Sequence, residues 1–170
     1  MLGGAVFEVA QPVFSAPSDF KVIYTPPSKN GATLAVGASV FNQTGLQMLT
    51  LTLPPCGVLA AHTHPRGTEF GYVISGSFEF GIFSENGSQV TVELAQGDGI
   101  VVPQGSVHFT RNKGCSNAQF FAVFDHPNPA TIFVGQALSL LPSFYLDSAF
   151  SGGAEFNVTG NIFQMTNCGC

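Results

Sequence analysis

The chain has 170 residues, enough for one domain with a buried core, and carries a net charge of −5 with only 9% charged residues. An acidic balance without any basic run excludes nucleic acid as a partner. No apolar stretch reaches the length of a membrane span.

Residues 1–32 read as an extended arm, because Pro12, Pro17, Pro26 and Pro27 break any helix. Within it Val22, Ile23 and Tyr24 predict a strand laid against the body of the protein. Met1–Ala5 lacks the basic start and apolar middle of a secretory leader, so a secreted form would begin after a removed leader or within a longer precursor. Residues 33–135 form the body, a series of short β-prone runs punctuated by turns. These are Leu34–Phe41, Gln47–Leu53, Val58–His64, Phe70–Ile74, Ser77–Phe83, Ser88–Leu94, Gly99–Val102, Ser106–Arg111 and Gln119–Phe124. Many short strands at this spacing predict an all-β sandwich or barrel. Asp125-His126-Pro127-Asn128-Pro129 ends the pattern. A helical segment follows over 136–150, begun by Ala137, Leu138 and Leu141, with Pro142 at the first position of a second helix through Phe150. The tail, 151–170, is rich in Gly, Asn and Thr and loosely ordered unless its final cysteines anchor it.

Four side chains carry the chemistry: His62, His64, Glu69 and His108. The first three sit in Gly57-x4-His62-x-His64-x4-Glu69-x6-Gly76, the fourth in Gly97-x5-Pro103-x-Gly105-x2-His108-x3-Asn112. Side chains two apart on a strand face the same way, so His62 and His64 aim at one point. A hairpin through Pro65-Arg66-Gly67 returns Glu69 to that face, and His108 arrives from a distant strand. Three of the chain's four histidines lie in these segments. Three nitrogens and a carboxylate without thiolate suit manganese or iron and leave open positions for water or a small ligand. Val58, Val73, Phe78, Phe80 and Phe109 are expected to supply an apolar interior around the ion. Asn112 reads as a structural hydrogen-bonding residue, Arg66 as a solvated or salt-bridging one, and His126 as an exposed or capping histidine.

Cys56 and Cys115 have position numbers summing to 171, which places them opposite one another if the two histidine-bearing strands pair antiparallel. A disulfide is expected there, closing a loop of about 60 residues for roughly 4 kcal/mol. Cys168 and Cys170 could close a local ring, bind metal or bridge to another chain. Asn42, Asn86 and Asn157 fit the N-glycosylation pattern, and Asn86 lies in a Glu85-Asn86-Gly87 turn suited to carrying a glycan in solvent. Cysteines and sequons together point to a secreted, extracellular protein.

The two segments match both cupin motifs, and His62-Thr-His64-Pro65-Arg66-Gly67-Thr68-Glu69 resembles the germin and germin-like branch, including the slime-mould spherulins. The likeness runs from about Thr33 to Phe150. It implies a single cupin β-barrel (jelly roll) with one Mn2+ ion (iron or another divalent transition metal being alternatives), secretion, and a homo-oligomer in which the short C-terminal helices contribute contacts. It also implies two activities, oxalate oxidase and superoxide dismutase. Oxalate-oxidising germins carry Asn three residues before the first ligand histidine, whereas this chain has Leu59-Ala60-Ala61-His62, and leucine offers a buried dianion no hydrogen bond. Oxalate oxidation is therefore disfavoured, and superoxide as a small-molecule partner is retained. Germin-like chains usually have a disulfide near the N-terminus, and no cysteine precedes Cys56 here. Two functional expectations follow. One is a secreted manganese oxidoreductase of superoxide dismutase type. The other is a non-enzymatic extracellular glycoprotein of a coat, wall or filament assembly, braced by a structural metal.

Overall fold

The computed structural model describes residues 33–36, 45–149, 163–165 and 168–169. The expected arm over 1–32, the sequons at Asn42 and Asn157, and Cys170 lie outside the described residues. The chain runs β1 (Thr33–Val36), β2 (Gln47–Leu53), β3 (Gly57–Thr63), β4 (Glu69–Ser75), β5 (Ser77–Phe83), β6 (Gln89–Ala95), β7 (Gly99–Val102), β8 (His108–Asn112), β9 (Ala118–Phe124) and β10 (Ile132–Phe133). Helices α1 (Val134–Ser139) and α2 (Ser143–Ala149) follow, and then a strand that the loose-tail reading omits, β11 (Phe163–Met165).

Two antiparallel sheets form. One has the order β1-β2-β9-β4-β7, the other β10-β3-β8-β5-β6, with β11 also on β3. Alternation explains what each strand buries. From β9 come Ala118, Phe120, Ala122 and Phe124; from β5, Phe78 and Phe80; from β4, Glu69 and Val73; from β2, Leu51 and Leu53. Together with Leu59, Leu94 and Val102 they make one core between the sheets. The β4–β5 hairpin turns on Gly76, whose φ of 78° lies in the left-handed region. A Cβ there would stand 2.6 Å from that of Ala118, so glycine is required twice over.

Two expectations about facing are corrected. In β3 the ladder to β8 runs Val58↔Arg111 and Leu59↔Thr110, then His62↔His108, so three residues of β3 advance against two of β8. This bulge reverses the parity of the strand. Leu59 and His62 are both buried, and Val58, expected inside, is half-buried. Phe109 also faces outward, because His108 and Thr110 on either side of it point in.

The observed register and pairing also overturn the expected Cys56–Cys115 bridge. Beside Val58 the register sets position 56 against 113 rather than 115, and Cys56, at φ 60°, turns off the ladder just before β3 begins. Its partner is Cys168, with Cα atoms 5.5 Å apart. Strand β11 pairs Phe163 with Leu59 and Met165 with Gly57, running antiparallel along β3 and delivering Cys168 beside Cys56. Cys115 is disulfide-bonded as well, and no described cysteine is free. No helix among the described residues is long and apolar enough to cross a membrane.

Candidate metal centre

His62 lies near the end of β3 and His64 just beyond it; Glu69 opens β4 and His108 opens β8. The sequence-predicted residues therefore come from three strands and meet between the sheets. All are buried, with exposures of 3%, 5%, 5% and 1% in chain order. Ligand atoms of the three imidazoles lie within 4.8 Å of one another. Glu69 Oε2 is 3.3 Å from His64 Nε2 and 3.2 Å from His108 Nε2.

Each imidazole is oriented through Nδ1. His62 Nδ1 donates to the Ala60 carbonyl (2.7 Å), His64 Nδ1 to that of Ala130 (2.6 Å) and His108 Nδ1 to that of Ser106 (3.0 Å). A carbonyl only accepts, so the proton of the neutral ring sits on Nδ1 and Nε2 presents a bare lone pair. At His108 that lone pair faces the carboxylate, and both Glu69 Oε2 and His108 Nε2 are buried without a hydrogen-bond partner. A cation between these two atoms would satisfy both, since neither has a partner in the buried site.

The electrostatics agree. Burial, and then the nearness of His108, hold the His62 pKa down at about 3, so its ring is neutral at physiological pH. Burial by itself would raise the Glu69 carboxyl, but His108 and then His64, donating through Nε2 when those rings carry a proton there, bring it to about 2. A cation in that place would favour the carboxylate likewise. A neutral His62 beside an ionised Glu69 matches the protonation states that a divalent metal requires. Three nitrogens and one oxygen, without sulfur, fit manganese or iron.

Aromatic rings fix the imidazole planes. Phe80 stacks on His108 at 5.5 Å and 7°, Phe124 meets His64 edge-on at 4.6 Å, and Phe133 lies 5.3 Å from His62. Beside the cluster is a cavity of about 30 Å³, room for roughly two waters. Leu49, Leu51, Leu59, Phe120 and Phe133 form its apolar walls, and among the described residues Thr110 and Thr131 are its only polar lining apart from the four ligand candidates. Of the expected interior residues, Val73, Phe78 and Phe80 are buried in the core. Phe120, Phe124 and Phe133 had not been singled out. Alternation in β9 marks the first two as sharing a face, but nothing local says that the face meets the histidines.

The other singled-out residues have structural partners. Asn112, fully buried, reaches the carbonyls of Leu53, Pro54 and Ser116 through Nδ2 and accepts the Gly114 amide on Oδ1. Arg66 hydrogen-bonds Asn128 rather than a carboxylate. His126 Nδ1 accepts the Asn128 amide at 3.0 Å, a capping role. Asn86 is exposed, and its side chain accepts from Ser88 within the β5–β6 turn.

A two-sheet antiparallel barrel with a buried cluster of three histidines and a carboxylate defines a jelly roll with a candidate metal site. Residues 24–157 match the family model described as Cupin, and the chain belongs to that family. Among curated proteins it is 38% identical to Spherulin-1A of Physarum polycephalum over 89 residues, 52% of this chain and 36% of that one. It is 31% identical to the Rhicadhesin receptor of Pisum sativum over 142 residues, 75% of this chain and 65% of that one. Germin-like protein subfamily 2 member 2 of Arabidopsis thaliana is 34% identical over 128 residues, covering 70% of this chain and 58% of its own. The chain thus spans between about a third and two thirds of these relatives' lengths. Solved structures share the fold. Oxalate decarboxylase of Bacillus subtilis superposes with a TM-score of 0.74 at 20% identity, over 98% of this chain and 44% of that one. A recombinant oxalate oxidase in complex with glycolate gives 0.67 at 23%, over 89% and 86%. Another structure of the decarboxylase, at 0.71 and 21% over 98% and 45%, is described by its Mn(II) centers.

Proposed function

We propose that this chain is an extracellular germin-like cupin that holds a divalent metal, manganese first, on His62, His64, Glu69 and His108. Its activity is superoxide dismutase-type redox chemistry on a small oxygen ligand. The carrying observation is the pair of orphaned lone pairs, Glu69 Oε2 and His108 Nε2, opening on a cavity of two-water size. The Mn(II) centers of the similarly folded decarboxylase support manganese. When bound, the metal supplies redox cycling and positions for ligand exchange. The chain's own residues orient the imidazoles through Nδ1, exclude bulk water with leucine and phenylalanine walls, and limit entry by size. Among the described residues the cavity walls offer a dicarboxylate no basic side chain, and Leu59 is one of the apolar residues lining them, so oxalate oxidation is not proposed. The bonded cysteines and the exposed Asn86 support secretion and glycosylation.

The test is metal analysis paired with a superoxide-dismutation assay on the purified protein. Stoichiometric manganese with turnover is expected. Bound manganese without turnover would refute the enzymatic reading and leave the metal site standing. A second reading, a coat, wall or filament protein with a structural metal, draws on one observation. Phe70, Tyr72 and Ile74 of β4 and Val101 of β7 stand 38–57% exposed on one sheet's outer face. A homo-oligomer or larger assembly is expected from that surface, and a strictly monomeric particle under non-reducing conditions would sink it.

A further inference from the structure

The three imidazoles are not oriented by equivalent means. His62 and His108 donate Nδ1 to carbonyls two residues back on their own segments, so both orientations come with the strands. His64 stands beyond the end of β3, and its acceptor, the Ala130 carbonyl, is 66 positions away on the loop that follows β9. Ala130 has φ 58°, a left-handed conformation uncommon for a residue with a Cβ. Something must hold that carbonyl in place.

The holder is a short circuit of hydrogen bonds. Arg66 Nε donates to the Asn128 carbonyl at 2.8 Å and Nη2 to Asn128 Oδ1 at 2.7 Å. Asn128 Oδ1 also accepts the Ala130 amide at 3.3 Å, and the Arg66 amide donates to the Pro129 carbonyl at 3.1 Å. Arg66 is two residues from His64, so a ring closes through His64, Arg66, Asn128, Ala130 and back to the imidazole. The planar guanidinium makes both Asn128 contacts at once, a geometry that an ammonium group does not reproduce. Thr131, next in the loop, lines the cavity with its hydroxyl 3.3 Å from His64 Nδ1.

We propose that Arg66 and Asn128 are positioning residues of the metal site, acting through the Ala130 carbonyl to fix the ring orientation and tautomer of His64. The proposal rests on the metal reading above for its consequence, but the orientation of His64 is testable without metal. In the metal-free protein, ¹⁵N-histidine NMR reads the tautomer of each ring. In Arg66→Met and in Asn128→Ala, His64 should change from a pure Nδ1–H tautomer to a mixture, while His62 and His108 keep theirs. Manganese affinity, measured by chelator competition, should fall by about 10–100-fold, the usual effect of removing an outer-shell partner of a ligand. Arg66→Lys should fall between wild type and Arg66→Met. Unchanged His64 signals in both variants would overturn the proposal, as would a uniform change at all three histidines in both. If wild type takes up no manganese, the metal reading fails, and the NMR comparison still decides what orients His64.

Discussion

Gly71 offers a sharp test of how the barrel wall shapes the site. It faces the interior from the middle of β4, between Glu69 and Val73. A Cβ at this position would stand 2.0 Å from Phe120 Cζ and 2.7 and 2.9 Å from its two Cε atoms. Normal contact needs well over an ångström more. The strand itself cannot retreat, since β7 and β9 hydrogen-bond it on both edges. Phe120 is 2% exposed, with Phe78 at 5.7 Å and Phe80 at 6.0 Å behind it, so the open direction for its ring is the cavity that it lines. Gly71→Ala should therefore cost about 1–3 kcal/mol as overpacking. For a chain of this length that is roughly 2–12 °C in melting temperature. It should also crowd the site, so azide titrated into the manganese-loaded protein should bind more weakly than in wild type. Adding Phe120→Leu should restore much of both, because the two residues share one steric conflict. A Gly71→Ala protein that melts with wild type and binds azide equally well would refute the reasoning.

Manganese at about 100 times its dissociation constant should stabilise the fold by roughly 2.7 kcal/mol. Melting curves with manganese and with chelator should separate in wild type and coincide in His108→Ala. Acid should destabilise the metal-free protein, because the folded state keeps His62 at about 3 and Glu69 at about 2, below their ordinary 6.5 and 4.5. The unfolded chain binds the extra protons, so stability is lost as the pH falls from 6.5 towards 2. Melting temperatures that stay level or rise on acidification would contradict the shifts. Replacing Cys56 and Cys168 together by serine opens a cross-link spanning 112 positions, an expected loss of about 4–5 kcal/mol read by denaturant titration.

Most of the barrel was legible in one dimension. Alternation of apolar and polar residues, interrupted by Gly and Pro, located nine strands, with β2, β5 and β7 at the expected residues. Strands β10 and β11 were missed because two or three residues are too few for a period to register, and the second is held by its partner strand and by Cys168. Both short helices were anticipated, although α1 begins at Val134, before the helical spacing becomes visible.

The four ligand candidates were identifiable because their residue types are rare in this chain and their spacing is local: two histidines one residue apart, a turn, a carboxylate. Cysteine pairing, the facing of Val58 and the partner of His64 belong to another category. Each depends on one strand's registry against a segment some 50 to 110 positions away. A single extra residue in β3 changes that registry without altering composition or average period. Side-chain type and periodicity are properties of a short window, so the polypeptide announces its strands and candidate metal donors there. Which surfaces meet is settled by packing of the whole barrel, where the Leu59–His62 bulge, the left-handed Ala130 and the Phe120 ring over Gly71 are adopted only because distant neighbours compensate for them.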